Sequence, residues 1–82
     1  LGIVLEDVPS GVRISTVTPG SLAEKTGLKS GDRLVELAGR PAISSAEAVN
    51  AIRRQPPGTW MPLRINRGDS DLDLIVRFPT QP

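Results

Sequence analysis

Turn-forming clusters cut this chain into segments too short for any long helix. Pro9-Ser10-Gly11, Pro19-Gly20-Ser21, Lys29-Ser30-Gly31-Asp32, Ala38-Gly39-Arg40-Pro41, Pro56-Pro57-Gly58 and Arg67-Gly68-Asp69-Ser70 recur along 82 residues. Proline lacks the N–H that a ladder or helix needs, and glycine admits left-handed backbone, so each cluster ends whatever precedes it.

Two of the intervening pieces read as short helices. Ser21 and Glu24 have capping-box spacing ahead of Leu22, Ala23, Lys25 and Thr26, and Gly27 is placed to end that helix in the left-handed conformation, with Leu28 folding back. Ser44 and Glu47 repeat the spacing and open a second helix, Ser45 to Arg54, on which Val49 and Ile52 share a stripe with Ser45 one turn earlier. Pro56-Pro57-Gly58 closes it.

The other pieces alternate as strands do. Leu1 to Glu6 is an apolar run, Val12, Ile14 and Thr16 alternate with Arg13, Ser15 and Val17, and in Arg33 to Leu37 the residues Leu34 and Glu36 oppose Val35 and Leu37. Met61, Leu63 and Ile65 alternate with Pro62, Arg64 and Asn66, and after the 67–70 turn Leu72, Leu74, Val76 and Phe78 alternate back as a hairpin. Pro62 marks the first of these strands as an edge near its start. Together the pattern predicts an α+β fold: a small curled antiparallel sheet of five to six strands capped by two helices.

Composition sets the class. A chain this short closes one modest core, burying about 60% of its unfolded surface, so residues 1–82 read as a single domain. The abrupt opening at Leu1 looks like a cut from something longer. Hydrophobic residues make up 38% and charged residues 23%, as in soluble globular domains, and no run approaches the roughly 18 apolar residues of a membrane span. The net charge of +1 leaves no electrostatic footprint for nucleic acid, and Trp60 and Phe78 are too few for a base-stacking platform.

Catalysis fits poorly. With no histidine and no cysteine, Ser-His-Asp and Cys-His arrangements, disulfides and the usual zinc ligands are excluded. Asp69, Asp71 and Asp73 fail as a calcium loop, since Leu74 stands where glycine is needed and Thr80 where glutamate is; they read as a solvated hairpin tip. Arg67-Gly68-Asp69 reads as turn composition, Arg53-Arg54 complements a helix dipole, and Lys29-Ser30 follows Leu28 where a phosphate loop wants glycine. No cofactor or metal is expected.

From Val17 through Thr18-Pro19-Gly20-Ser21-Leu22-Ala23-Glu24-Lys25-Thr26-Gly27-Leu28-Lys29-Ser30-Gly31-Asp32 to Gly39-Arg40-Pro41, the chain resembles the central segment of PDZ domains, bacterial ones in particular. Leu22 departs from the family's usual proline or alanine. Leu1-Gly2-Ile3-Val4 is similar to the family's carboxylate-binding loop, and Ser45 to Arg54 to its groove helix. The resemblance implies that Leu72 to Phe78 takes the sheet position an N-terminal strand fills in animal PDZ domains. It also implies a monomeric module of a bacterial envelope protein, such as an HtrA-like or site-2-type protease, in the periplasm or cell envelope.

The resemblance implies a function as well: binding the carboxyl-terminal tails of proteins or peptides. Leu1, Gly2 and Ile3 would offer consecutive backbone N–H groups to the terminal carboxylate, with Gly2 permitting close approach, so that Gly2→Val removes binding while folding stays intact. The tail would add as an antiparallel strand along residues 3–6, with the 45–54 helix as the opposite wall. Leu1, Ile3 and Leu5 would face a pocket shared with Val49 and Ile52, Val4 and Glu6 would point outward, and Ser45 would meet the third-last residue. One apolar side chain contributes roughly 1.5–3 kcal/mol and the carboxylate bonds a similar amount, against about 8 kcal/mol for micromolar binding, so affinities should be micromolar or weaker. The alternative is a structural or assembly module of a non-protease envelope or secretion protein, its groove filled by a neighbouring segment or a second copy.

Overall fold

Alternation of apolar and polar residues over five to eight positions produces strands here, and capped four-residue spacings produce the helices, as the computed structural model of residues 1–80 shows. In chain order the elements are β1 (Ile3–Val8), β2 (Gly11–Val17), α1 (Leu22–Thr26), β3 (Arg33–Leu37), β4 (Arg40–Pro41), α2 (Ser45–Arg53), β5 (Trp60–Arg67) and β6 (Ser70–Arg77). The strands form one unclosed antiparallel sheet in the order β1-β2-β3-β5-β6, with the two-residue β4 attached to β3.

Both helices begin at their predicted caps. The Ser21 hydroxyl accepts the Glu24 N–H at 3.3 Å, while the Glu24 carboxylate accepts the N–H of Gly20, one residue upstream of the cap itself. Gly27, at φ 105°, ends α1, and the N–H of Leu28 donates to the Ala23 carbonyl as Leu28 folds into the core. The Ser44 hydroxyl likewise accepts the Glu47 N–H at 3.1 Å, and α2 stops at Arg53 with Arg54 as its cap.

Two bulges alter the facing of side chains. In the β1–β2 ladder Val4 opposes Thr16 and Leu5 opposes Ile14, so Ser15 is an extra residue; Val12 and Ile14 are fully buried, but beyond the bulge it is Val17 that packs inward and Thr16 that is exposed. In β3, Leu34 opposes Ile65 and Glu36 opposes Arg64, leaving Val35 extra, so Leu34 and Leu37 are both buried instead of facing opposite sides. The β5–β6 hairpin has no such break: Met61, Leu63, Ile65 and Val76 are buried in strict alternation. β5 lies between β3 and β6, yet Trp60 to Pro62 pair with β6 alone, since the last β3 partner is Leu63.

The core joins these residues to Ala23, Leu28 and Ala48, and each fully buried Ile or Val in it contributes roughly 1.5–3 kcal/mol. Among the described residues, Asp32 is the one charged side chain in the buried set, 1% exposed at the end of the 29–32 turn. It accepts the N–H of Lys29 at 2.8 Å and both prongs of Arg67, whose Nη2 also reaches the Gly27 carbonyl. That cluster ties the end of α1, the turn and the end of β5 together.

Candidate peptide-binding groove

β1 stands at one end of the strand order, and α2 runs beside it. On β1, Leu5 and Ile3, with Leu1 just before the strand, are partly buried against the core, as is Ile52 on α2. Val49 is half-buried, and Ser45 begins the helix. Val4 is 55% exposed, and Glu6 is half-buried with its carboxylate on Arg13. At 100° per residue Ser45, Val49 and Ile52 lie within one narrow stripe of α2, while Glu47, Asn50, Ala51 and Arg54 fall on the other flank. That other flank borders a hollow of about 570 Å³ toward Pro41, Ala42 and Ile43, on the side of α2 away from β1.

The front of the chain is oriented by its carbonyls. The Leu1 carbonyl accepts the N–H of Ala23 at 3.0 Å, and the Gly2 carbonyl accepts the N–H of Thr18 at 2.8 Å. Because a trans peptide sets N–H opposite C=O, the amides of Gly2 and Ile3 point away from the 18–23 segment. Two successive donors thus leave the same side of the turn, the geometry of an anion seat.

Gly2 is more constrained than its sequence position implies. At φ +91° a side chain is strained, and a Cβ there would stand 2.3 Å from the Cβ of Ser21 and 2.6 Å from its hydroxyl. Since Ser21 is the cap of α1, valine at position 2 would collide with the helix start. The expectation that Gly2→Val spares folding is therefore corrected.

One residue escaped the reading of the sequence. Asp7 follows Ile3 and Leu5 on the alternating face of β1 and reaches α2, where Oδ1 accepts the Ser45 N–H at 2.7 Å and Oδ2 accepts the Ser45 hydroxyl at 2.8 Å. The backbone and hydroxyl donors of Ser45 hold its carboxyl below the usual carboxylate range. No local spacing announces a bond between residues 38 apart. The cue available was the inward register of Asp7, two beyond Leu5.

Residues 1–77 match the family described as PDZ domain. The chain belongs to the PDZ family. It is 38% identical over 74 residues to the periplasmic pH-dependent serine endoprotease DegQ of Escherichia coli K12, an alignment covering 90% of this chain and 16% of that protein. It is 37% identical over 67 residues to the serine protease HTRA1 of Xenopus tropicalis, covering 82% and 14%. The chain thus spans about one sixth of the length of these proteases. Among solved structures, the PDZ domain of HtrA3 bound to a phage-derived ligand, FGRWV, superposes with a TM-score of 0.82 at 28% identity, covering 94% of this chain and 81% of that one. A PDZ domain is a non-catalytic module, and this one resembles those of HtrA proteases.

Proposed function

We propose that this PDZ domain captures carboxyl-terminal tails by strand addition along Ile3 to Glu6, with the terminal carboxylate on the amides of Gly2 and Ile3. The last side chain enters the slot between Leu1, Ile3 and Leu5 on one wall and Val49 and Ile52 on the other. Val4 and Glu6 border the penultimate residue, and Ser45 stands nearest the third-last. The single observation that supports this reading is the pinning of the Leu1 and Gly2 carbonyls by Ala23 and Thr18, which turns the following amides away from the 18–23 segment, next to the partly buried Leu1, Ile3 and Leu5. The HtrA3 domain's ligand ends in valine, the kind of residue such a slot accepts.

The domain serves, in this reading, as the substrate-recognition or regulatory part of a longer envelope protease, since the relatives include periplasmic serine endoproteases. The test is a titration with a valine-ended peptide and its amidated twin. Saturable micromolar binding of the free acid, lost on amidation, is expected; equal binding, or none, rejects tail capture and leaves the structural role.

A further inference from the structure

The ion pairs among the described residues join Arg13 to Glu6, Arg64 to Glu36 and Asp73, and Arg67 to Asp32. Asp7 is in none of them. Its carboxylate is held against the first residue of α2 by two Ser45 donors, one on each oxygen. A carboxylate has about four acceptor sites, so roughly half of them remain open. The side chain is exposed, and its neighbour Glu6 is already neutralised by Arg13. What the upstream end of the groove presents is a fixed negative charge with no ion-pair partner among the described residues.

Strand addition decides what meets it. With the tail's last residue opposite Ile3, an antiparallel register places the third-last residue opposite Leu5 and the fifth-last opposite Asp7, all on the side that faces α2. Directly opposite side chains have Cβ atoms about 5 Å apart, and diagonal neighbours at about 7–8 Å are within reach of long side chains. The fourth-last and penultimate side chains point the other way.

Resting on the groove assigned above, we propose that Asp7 is a specificity-determining residue that selects tails carrying lysine or arginine at the third-last and fifth-last positions. The Ser45 bonds keep the carboxylate ionised and stationary, so a cation meets it without first ordering it, whereas an acidic residue at either position is repelled.

Seven-residue peptides with a free carboxylate and a terminal valine, bearing lysine or glutamate at the third-, fourth- or fifth-last position, test this by titration. Lysine is expected to bind about two- to fivefold tighter than glutamate at the third- and fifth-last positions, with little difference at the fourth-last. Added salt should shrink the preference, and Asp7→Asn, which removes the charge at nearly constant shape, should abolish it. Equal affinities, an equal preference at the fourth-last position, or a preference surviving in Asp7→Asn each overturn the assignment. The wild-type peptide series decides the matter even without the variant. Amidated twins separate the two levels: if amidation is without effect the groove reading fails and takes this one with it, whereas loss on amidation with no lysine preference removes Asp7 alone.

Discussion

Arg67 closes a two-pronged ion pair on the buried Asp32, Nε to Oδ1 and Nη2 to Oδ2, both at 2.8 Å. The pair joins the end of β5 to the turn ahead of β3, residues 35 apart in the chain. Replacing Asp32 by alanine leaves the guanidinium and the Lys29 amide without their shared acceptor. Because the guanidinium is about one-third exposed and water can reach it, a loss of about 1–3 kcal/mol is expected. On a domain of this size that lowers the melting temperature by roughly 4–24 °C, read by thermal denaturation followed by circular dichroism.

The same pair contributes to acid sensitivity. Burial alone would raise the Asp32 carboxyl, but the bonds and charges of Arg67 and Lys29 outweigh it and hold the group below its ordinary value. A carboxyl depressed in the folded state stabilises above its unfolded value of about 3.9, and that contribution drains away as pH falls through the folded value. Asp73, held down by Arg64, and Asp7, held down by Ser45, act with the same sign. Melting temperatures should therefore be level from neutrality to about pH 5 and fall below about pH 4, with a shallower acid slope in Asp32→Asn.

Gly2→Ala should weaken tail binding and lower stability together, because the added Cβ presses on the cap of α1. Combining it with Ser21→Gly, which costs only a few tenths of a kcal/mol as a cap, should recover part of the lost stability. Calorimetric melts of the four proteins in the cycle check this. Strict additivity would show that the two positions do not meet.

Val49→Ala trims the groove stripe of α2 by two methyl groups at a half-buried position while improving helix propensity. Affinity for a valine-ended tail should fall about fivefold, roughly 1 kcal/mol, with the melting temperature nearly unchanged. Fluorescence anisotropy with a labelled peptide reads the first and circular dichroism the second.

Much of the fold is legible in the sequence. The two capping boxes, the terminating Gly27 and the β5–β6 alternation announce themselves because their causes are local: a hydroxyl three residues from an orphan amide, or a side chain on every second position. The bulges at Ser15 and Val35 did not, since one extra residue changes which face a strand presents without changing its composition. Asp7 was missed for a related reason: its partner is set by how β1 and α2 pack, and an acidic residue on an exposed strand looks the same with or without that partner. Gly2 was recognised as permissive, but its contact with Ser21 required two chain segments in place.

The Leu1 and Gly2 carbonyls accept from Ala23 of α1 and from Thr18 ahead of it, so the start of α1 is a structural member of the proposed anion seat and not merely its neighbour. A neighbouring domain that leaned on α1 would tilt the Leu1–Gly2 peptide plane, whose amide is one of the two proposed to meet the tail. By reciprocity, an occupied seat would brace α1 against that lean, making a five-residue helix the lever between them.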